Sequence, residues 1–198
     1  MITLFHAPRS RSSRLIFLLE ELGAPYEIKI VDIQRGNGTG GRDPANPHPH
    51  GKVPVILDDG ALVFESVAIT LYLTDKFGTA AIGPPAGDPL RGPYLSWLAY
   101  YAGVMEPAWV SKFLKHEVPR GSAGWVDTGE VMTFVNSALA KGTYLMGERF
   151  SAADILVGTT FALFLGSPLL EKTDLLEAYV KRVVERPASI RAQKRELG

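Results

Sequence analysis

The sequence contains no cysteine. That excludes disulfide bonds, thiolate-ligated zinc and any reaction needing a cysteine nucleophile, and it leaves the redox compartment unmarked. Neither sign of charge is in excess. The 21 Lys and Arg residues balance 21 Asp and Glu, so no net field draws the chain to nucleic acid or to an anionic membrane. Zero net charge instead lets copies of the chain approach one another. Long apolar runs are missing too. The longest uncharged stretch, Ile155 to Leu170, includes Thr159, Thr160, Ser167 and Pro168 and is shorter than the ~20 residues of a membrane-spanning helix. The short apolar start, Met1 to Phe5, is followed by Arg9, Arg11 and Arg14, which does not fit a signal peptide. Histidine is scarce, four in all. His48 and His50 share a proline-rich loop without carboxylate support, so no metal site is expected. These absences together predict a soluble, cytoplasmic protein with no nucleic-acid, membrane or metal partner.

What is present suits one large domain or two small ones: 198 residues, 46% of them hydrophobic, enough for a sizeable core. Ile2 to His6 is rich in strand formers. Leu15, Leu18, Leu19 and Leu22 then recur on one helical face, stopped by Gly23 and Pro25. Tyr26, Ile28 and Ile30 alternate as a second strand, and a βαβ unit makes the two strands parallel. From Ile33 to His50, Gly36, Gly38, Gly40, Gly41, Pro44, Pro47 and Pro49 leave little regular structure, and a loop this long is functional or mobile. Gly36 to Gly41 is not a phosphate-binding loop, because no amphipathic helix follows it. Val53 to Leu57 reads as a third strand, Asp59-Gly60 as a hairpin turn and Leu62 to Phe64 as its return. Ser66 opens a helix ending near Gly78. Three prolines between Gly83 and Pro89 mark a linker. Beyond it the pattern is helical: roughly 90–106, 128–141, 152–166 and 173–184, with a short tail. The expected domains are residues 1–80, a linker at 81–89 and a helical domain at 90–198.

The order β-α-β, loop, β-β-α, with a proline at the start of the third strand, resembles the thioredoxin fold. An all-helical domain behind a proline-rich linker resembles the cytosolic glutathione transferase family, bacterial in type. Asn46-Pro47 to Gly51-Lys52-Val53-Pro54, Glu65-Ser66 and Ser151-Ala152-Ala153-Asp154 match three of its segments in order and spacing. The resemblance covers essentially the whole chain. It implies an α+β two-domain fold, a thioredoxin-like βαβ-ββα domain followed by an all-α domain. It also implies a homodimer, and a detoxifying transferase that uses glutathione as co-substrate, with no metal.

Residue by residue, the resemblance implies a cis Val53-Pro54 bond that presents the Val53 backbone to glutathione, as a strand edge presents itself to an extended peptide. Glu65 and Ser66 would take the γ-glutamyl end at a helix N-terminus, where unpaired N–H groups favour anions; Ser66 would otherwise serve as a cap. Lys52 would pair with the glycyl carboxylate, helped by one of Gln34, Arg35, His48 or His50. A thiol of pKa about 8.5 is mostly protonated at neutral pH and must be stabilised as thiolate. Counting back from Arg14, Ser10 falls where serine-type members keep their catalytic hydroxyl, with Ser12 and then Ser13 as alternatives; all three are also candidates to cap the first helix. No tyrosine lies in this segment, so tyrosine-type activation is excluded there. Arg9 and Arg11 depart from an ordinary serine-type site and would add positive potential at the sulfur or bind an anionic co-substrate. Trp97, Tyr100, Tyr101 and Trp109 would line a pocket for a small apolar electrophile, or else belong to a core. The Ser151–Asp154 pair reads as a structural capping box. Two other activities fit the same pattern: an isomerase or ether-cleaving lyase, and a non-catalytic binding protein.

Overall fold

The computed structural model describes residues 1–78 and 81–196. Its contacts form two units. One contains the N-terminal elements and the last helix, the other residues 81–186. The expected domain boundary at residue 80 and the chain's last two residues lie outside the described residues.

In the first unit, β1 (Ile2–His6) runs parallel to β2 (Tyr26–Ile30) and antiparallel to β3 (Val55–Asp58), which pairs with β4 (Ala61–Phe64). The sheet order is β2-β1-β3-β4. Ile2, Leu4 and Phe5 of the central β1 are buried, as are Val55 and Ile56 of β3, and they form the core of the sheet. The β3–β4 turn is Asp59-Gly60, both at positive φ (48° and 88°), the backbone that a two-residue hairpin requires.

Helix α1 (Ser13–Leu22) buries its predicted face of Leu15, Leu18, Leu19 and Leu22. Ile16 and Phe17, which lie off that face, are buried as well. The cover comes from α8 (Pro187–Glu196), which packs against α1. The tail expected to close the helical domain therefore belongs to the first unit, held by charge as well as by Ala188 and Ala192. The Glu20 carboxylate accepts from Arg191 Nε at 2.8 Å and forms an ion pair with Arg195 Nε at 2.9 Å. Burial pushes the Glu20 pKa up, but hydrogen bonds from Arg191 and Tyr26 and the charge of Arg195 outweigh it, and the carboxyl sits below its ordinary value. Gly23 ends α1 in the left-handed region, and the Ala24 N–H returns to the Leu19 carbonyl. Helix α2 (Ser66–Lys76) follows β4.

Residues 32–43 contain no helix or strand, yet two aspartates organise them. Asp43 accepts from Asp32 N–H at 3.0 Å, and Asp32 accepts from Gly41 N–H at 2.9 Å and Ile33 N–H at 2.8 Å. A Cβ at Gly40 would lie 2.1 Å from the Ile33 carbonyl oxygen, so only glycine fits there.

The second unit is helical. Its first helix was expected to end near Glu106. It continues instead as α3 (Arg91–Tyr100), a π-helical segment (Tyr101–Met105) and α4 (Glu106–Phe113). Pro107 has no N–H for the α-helical ladder, and the turn before it widens to the i→i+5 pattern. Helices α5 (Thr128–Leu139), α6 (Ala152–Phe164) and α7 (Asp174–Val184) follow. The capping box on α6 is complete: the buried Asp154 carboxylate accepts from Ser151 N–H at 2.9 Å and also holds Leu145 N–H and Tyr179 O–H. At Gly158 of α6 a Cβ would approach Val183 of α7 to 2.8 Å, so glycine sets how closely these helices approach. The proline-rich stretch is tied down within this unit. The Ile82 carbonyl accepts from Ala152 N–H at 2.8 Å, and Asp88 pairs with Arg149 at 2.7 Å. No helix among the described residues is long and apolar enough to cross a membrane.

Candidate active site

In the first unit, the segment that leaves β1 and enters α1 meets the long loop and the chain just ahead of β3. Between them is a pocket of about 260 Å³ lined by Arg9, Ser10, Arg11, Ile33, Gln34, Arg35, Gly36, Lys52 and Val53. Its charged lining residues are all cations. Arg35 is oriented by a hydrogen bond from its guanidinium to the Pro8 carbonyl, at 3.2 Å. Arg9 has a left-handed backbone (φ 56°), rare outside glycine, and its N–H is held by the Glu196 carboxylate at 2.8 Å.

Ser10 is half-buried at this pocket. Its Oγ accepts from Ser12 N–H at 3.2 Å and lies 2.7 Å from Ser12 Oγ. Ser12, considered for the substrate site and as the cap of α1, is set back from the pocket. It is fully buried behind Ser10, and its hydroxyl is engaged with His6 Nδ1 at 2.8 Å, Ala7 N–H at 3.2 Å and the Ala7 carbonyl at 3.3 Å. It occupies the N-cap position without a side-chain capping bond. Ser13 turns away, donating to Glu196 at 2.5 Å. His6 is buried, and burial lowers its pKa against the opposing pull of Glu196.

Val53 lies outside the strand ladder, which starts at Val55 paired with Phe5 and Phe64. The Val53-Pro54 peptide bond is cis. The Lys52 carbonyl accepts from the buried Asn46 side chain at 3.0 Å, so Asn46 ties the loop to the start of β3. Of the four loop residues considered for the glycyl end, Gln34 and Arg35 line the pocket. His48 is buried instead, with Nδ1 accepting from His50 N–H at 3.0 Å and its ring edge-on to Phe64.

Glu65 and Ser66 stand at the head of α2. Glu65 is exposed, with φ of 71°, and occupies the N-cap position without a side-chain capping bond; Ser66 is the first helical residue rather than the cap. In the second unit, Trp97 and Tyr101 are packed among other side chains. Trp97 stacks on Phe134 at 4.9 Å and meets Tyr100 edge-on. The buried Tyr101 hydroxyl donates to Glu106 and lies 3.1 Å from Thr160 Oγ1. Both side chains are buried, and the Tyr101 hydroxyl is engaged within this unit. No group of three or more metal-ligating side chains occurs among the described residues.

A four-stranded mixed sheet in the thioredoxin arrangement, with a cationic pocket at the mouth of its first helix and an all-helical second unit, makes this a two-unit protein with a thioredoxin-like first unit. The profile of the glutathione S-transferase N-terminal domain matches residues 1–75, and that of the C-terminal domain residues 100–187. Glutathione S-transferase 3 of Schizosaccharomyces pombe is 31% identical over 173 residues, 78% of this chain and 70% of that protein. Among solved structures, a glutathione S-transferase from Actinobacillus pleuropneumoniae superposes with a TM-score of 0.81 at 29% identity, covering 100% of this chain and 94% of the other. A sphingomonad glutathione S-transferase in complex with glutathione gives 0.77 at 27% identity, covering 98% of each. The chain belongs to the glutathione S-transferase family and is a glutathione transferase.

Proposed function

We propose that this protein activates glutathione by a serine-type mechanism and transfers its sulfur to a small electrophile, by substitution or addition. Glutathione lies with its sulfur against Ser10, whose hydroxyl donates to the thiolate. Val53, ahead of the strand ladder, pairs with the peptide through its backbone. Lys52, assisted by Arg35 and Gln34, takes the glycyl carboxylate. Glu65 faces the γ-glutamyl ammonium, and Ser66, at the positive end of α2, takes the γ-glutamyl carboxylate. Arg11 and Arg9 add positive potential beside the sulfur. The electrophile is small and apolar, as the family resemblance implies, and the working protein is a cytoplasmic homodimer. Exposed Leu62 and Phe64 on the edge strand β4 support self-association.

The observation that carries this reading is the pocket itself. It joins a hydroxyl at the entry to a helix, a backbone segment outside the strand ladder and four cations, and its lining contains no carboxylate. Lowering a thiol pKa by about two units takes about 2.7 kcal/mol of preference for the thiolate, within reach of a hydroxyl hydrogen bond plus this field. The test is calorimetric titration with reduced glutathione, then the ultraviolet thiolate absorbance of the complex against pH. Binding with a thiol pKa well below that of free glutathione supports the proposal. Binding with an unshifted thiol would favour the non-catalytic binding protein. A shifted thiol without turnover of substitution or addition electrophiles would favour the isomerase or ether-cleaving lyase.

A further inference from the structure

Behind Ser10 lies a chain of polar groups that the transfer reaction as proposed does not use. Ser10 Oγ is 2.7 Å from Ser12 Oγ, and Ser12 Oγ is 2.8 Å from His6 Nδ1. His6 Nε2 has no hydrogen-bond partner among the described residues and faces the Glu196 carboxylate at 3.8 Å. His6 and Ser12 are fully buried. A buried imidazole joined to the site by two hydroxyls is costly unless it is used or satisfied, and here one of its nitrogens is unsatisfied.

Proton directions constrain what this chain can do. The Ser12 N–H donates to Ser10 Oγ and the Ala7 N–H donates to Ser12 Oγ; these directions are fixed. The hydroxyl protons can run either way. With neutral His6, a carboxylate opposite Nε2 favours the tautomer with its proton on Nε2. Nδ1 then accepts from Ser12, Ser12 accepts from Ser10, and the Ser10 oxygen presents a lone pair to the pocket. That arrangement receives a proton from a thiol and would repel a thiolate. With His6 protonated, every bond reverses: Nδ1–H donates to Ser12, Ser12 donates to Ser10, and the Ser10 O–H points into the pocket as the donor a thiolate needs.

We propose that His6 is the acceptor of the glutathione thiol proton, reached through Ser10 and Ser12. The inference rests on Ser10 being the residue against the sulfur. The step balances. The S–H bond breaks and its proton passes to Ser10 Oγ; the Ser10 proton passes to Ser12 Oγ; the Ser12 proton forms the new Nδ1–H bond. The products are a thiolate that accepts from Ser10 and an imidazolium opposite Glu196, with no net change in charge. Deprotonation of the thiol and reorientation of its stabilising hydroxyl are thus one event. His6 starts neutral, as its burial favours, and Glu196 on α8 is the charged group facing the imidazolium that forms. Ser12 and His6 act through Ser10 and are positioning residues. Glu196 also holds Arg9 N–H and Ser13 Oγ, so one carboxylate both sets the loop and balances the new charge.

The experiment compares wild type with Ser10→Ala, Ser12→Ala, Ser12→Thr and His6→Asn. Glutathione affinity is read by calorimetry, thiolate absorbance against pH, and kcat with a chlorinated dinitrobenzene. Asparagine keeps a hydrogen-bonding group near the Nδ1 position but cannot take a proton, and threonine keeps the hydroxyl. His6→Asn and Ser12→Ala should raise the bound thiol pKa by about one unit or more and lower kcat at least about tenfold, with little change in KM for glutathione. Ser12→Thr should restore both. If Ser12→Ala fails to fold, His6→Asn and Ser12→Thr decide. An effect of Ser10→Ala with none of His6→Asn on the thiol pKa overturns the relay and leaves the serine-type reading standing. No glutathione binding by wild type, or no effect of Ser10→Ala, overturns both.

Discussion

At the scale of single residues, the proposed mechanism divides labour between two serines two positions apart. Both carry the same hydroxyl, and what separates them is solvent. Ser10 borders the pocket, whereas Ser12 is buried with every lone pair engaged. Ser10→Ala should therefore raise the bound thiol pKa and lower kcat by about 10²-fold while leaving glutathione affinity within a few-fold, because the hydrogen bond is strongest to the thiolate. Thiolate absorbance and steady-state kinetics of the variant check this. Ser66→Ala should act oppositely, weakening glutathione binding by calorimetry with unchanged thermal unfolding, since Ser66 is the first residue of α2 rather than its N-cap. Arg9 and Arg11 set a contrast that a single assay reads. Arg11→Ala should slow turnover of an electrophile carrying a carboxylate more than turnover of its neutral analogue, because the cation is removed from a pocket whose lining holds no carboxylate.

At the scale of elements, two helices show how a few polar atoms secure a fold. The α6 capping box is buried, and Asp154 accepts from two backbone N–H groups, the Ser151 hydroxyl and the Tyr179 hydroxyl. Burial raises the Asp154 pKa although all four bonds favour the carboxylate. Asp154→Ala should cost about 2–4 kcal/mol, through several buried donors left unpaired, and denaturant unfolding measures it. Helix α8 shows the other pattern, a basic strip docked on α1. Glu20→Ala removes the carboxylate shared by Arg191 and Arg195. It should lower the melting temperature by several degrees and, by loosening the helix that carries Glu196, reduce kcat.

At the scale of the whole molecule, charge and protonation govern behaviour. Four cations line the candidate pocket of a chain whose net charge is zero, so, if glutathione binds there, its affinity should fall as ionic strength rises, measurable by titration at two salt concentrations. The buried His6 has a folded pKa below its unfolded value. Below about pH 6.5 the unfolded chain binds more protons than the folded one, so this histidine's contribution to stability is present above that range and is lost as pH falls through it. His6→Asn should flatten the pH dependence of unfolding between pH 7.5 and pH 5.5 (about one unit either side), read from melting curves. The proposed homodimer is checked by sedimentation at micromolar concentration, where a mass equal to the monomer would refute it.

Local chemistry alone determined much of this protein. Alternating β-branched and aromatic residues set the strands, Asp59-Gly60 set the hairpin, Gly23 and Pro25 ended α1, and Ser151 with Asp154 started α6. Each of these signals acts between residues a few positions apart, and so can be read along the chain. The order of the elements and the family motifs likewise located the pocket residues Ser10, Arg11, Lys52 and Val53. Tertiary structure decided the rest, because it depends on groups far apart in sequence. Glu196 reaches Arg9 and Ser13, and Glu20 meets Arg191, only because α8 folds back onto α1. The continuation of the helix past Pro107 rests on a π-helical widening that no short-range pattern announced. Trp97 and Tyr101 have the spacing of a ligand-facing stripe, which is also the spacing of a core; that Phe134 and Thr160 from other helices meet them could not be read along the chain. Likewise nothing local separates Ser10 from Ser12. Burial against His6 does, since it encloses Ser12 in protein while Ser10 stays at the pocket wall.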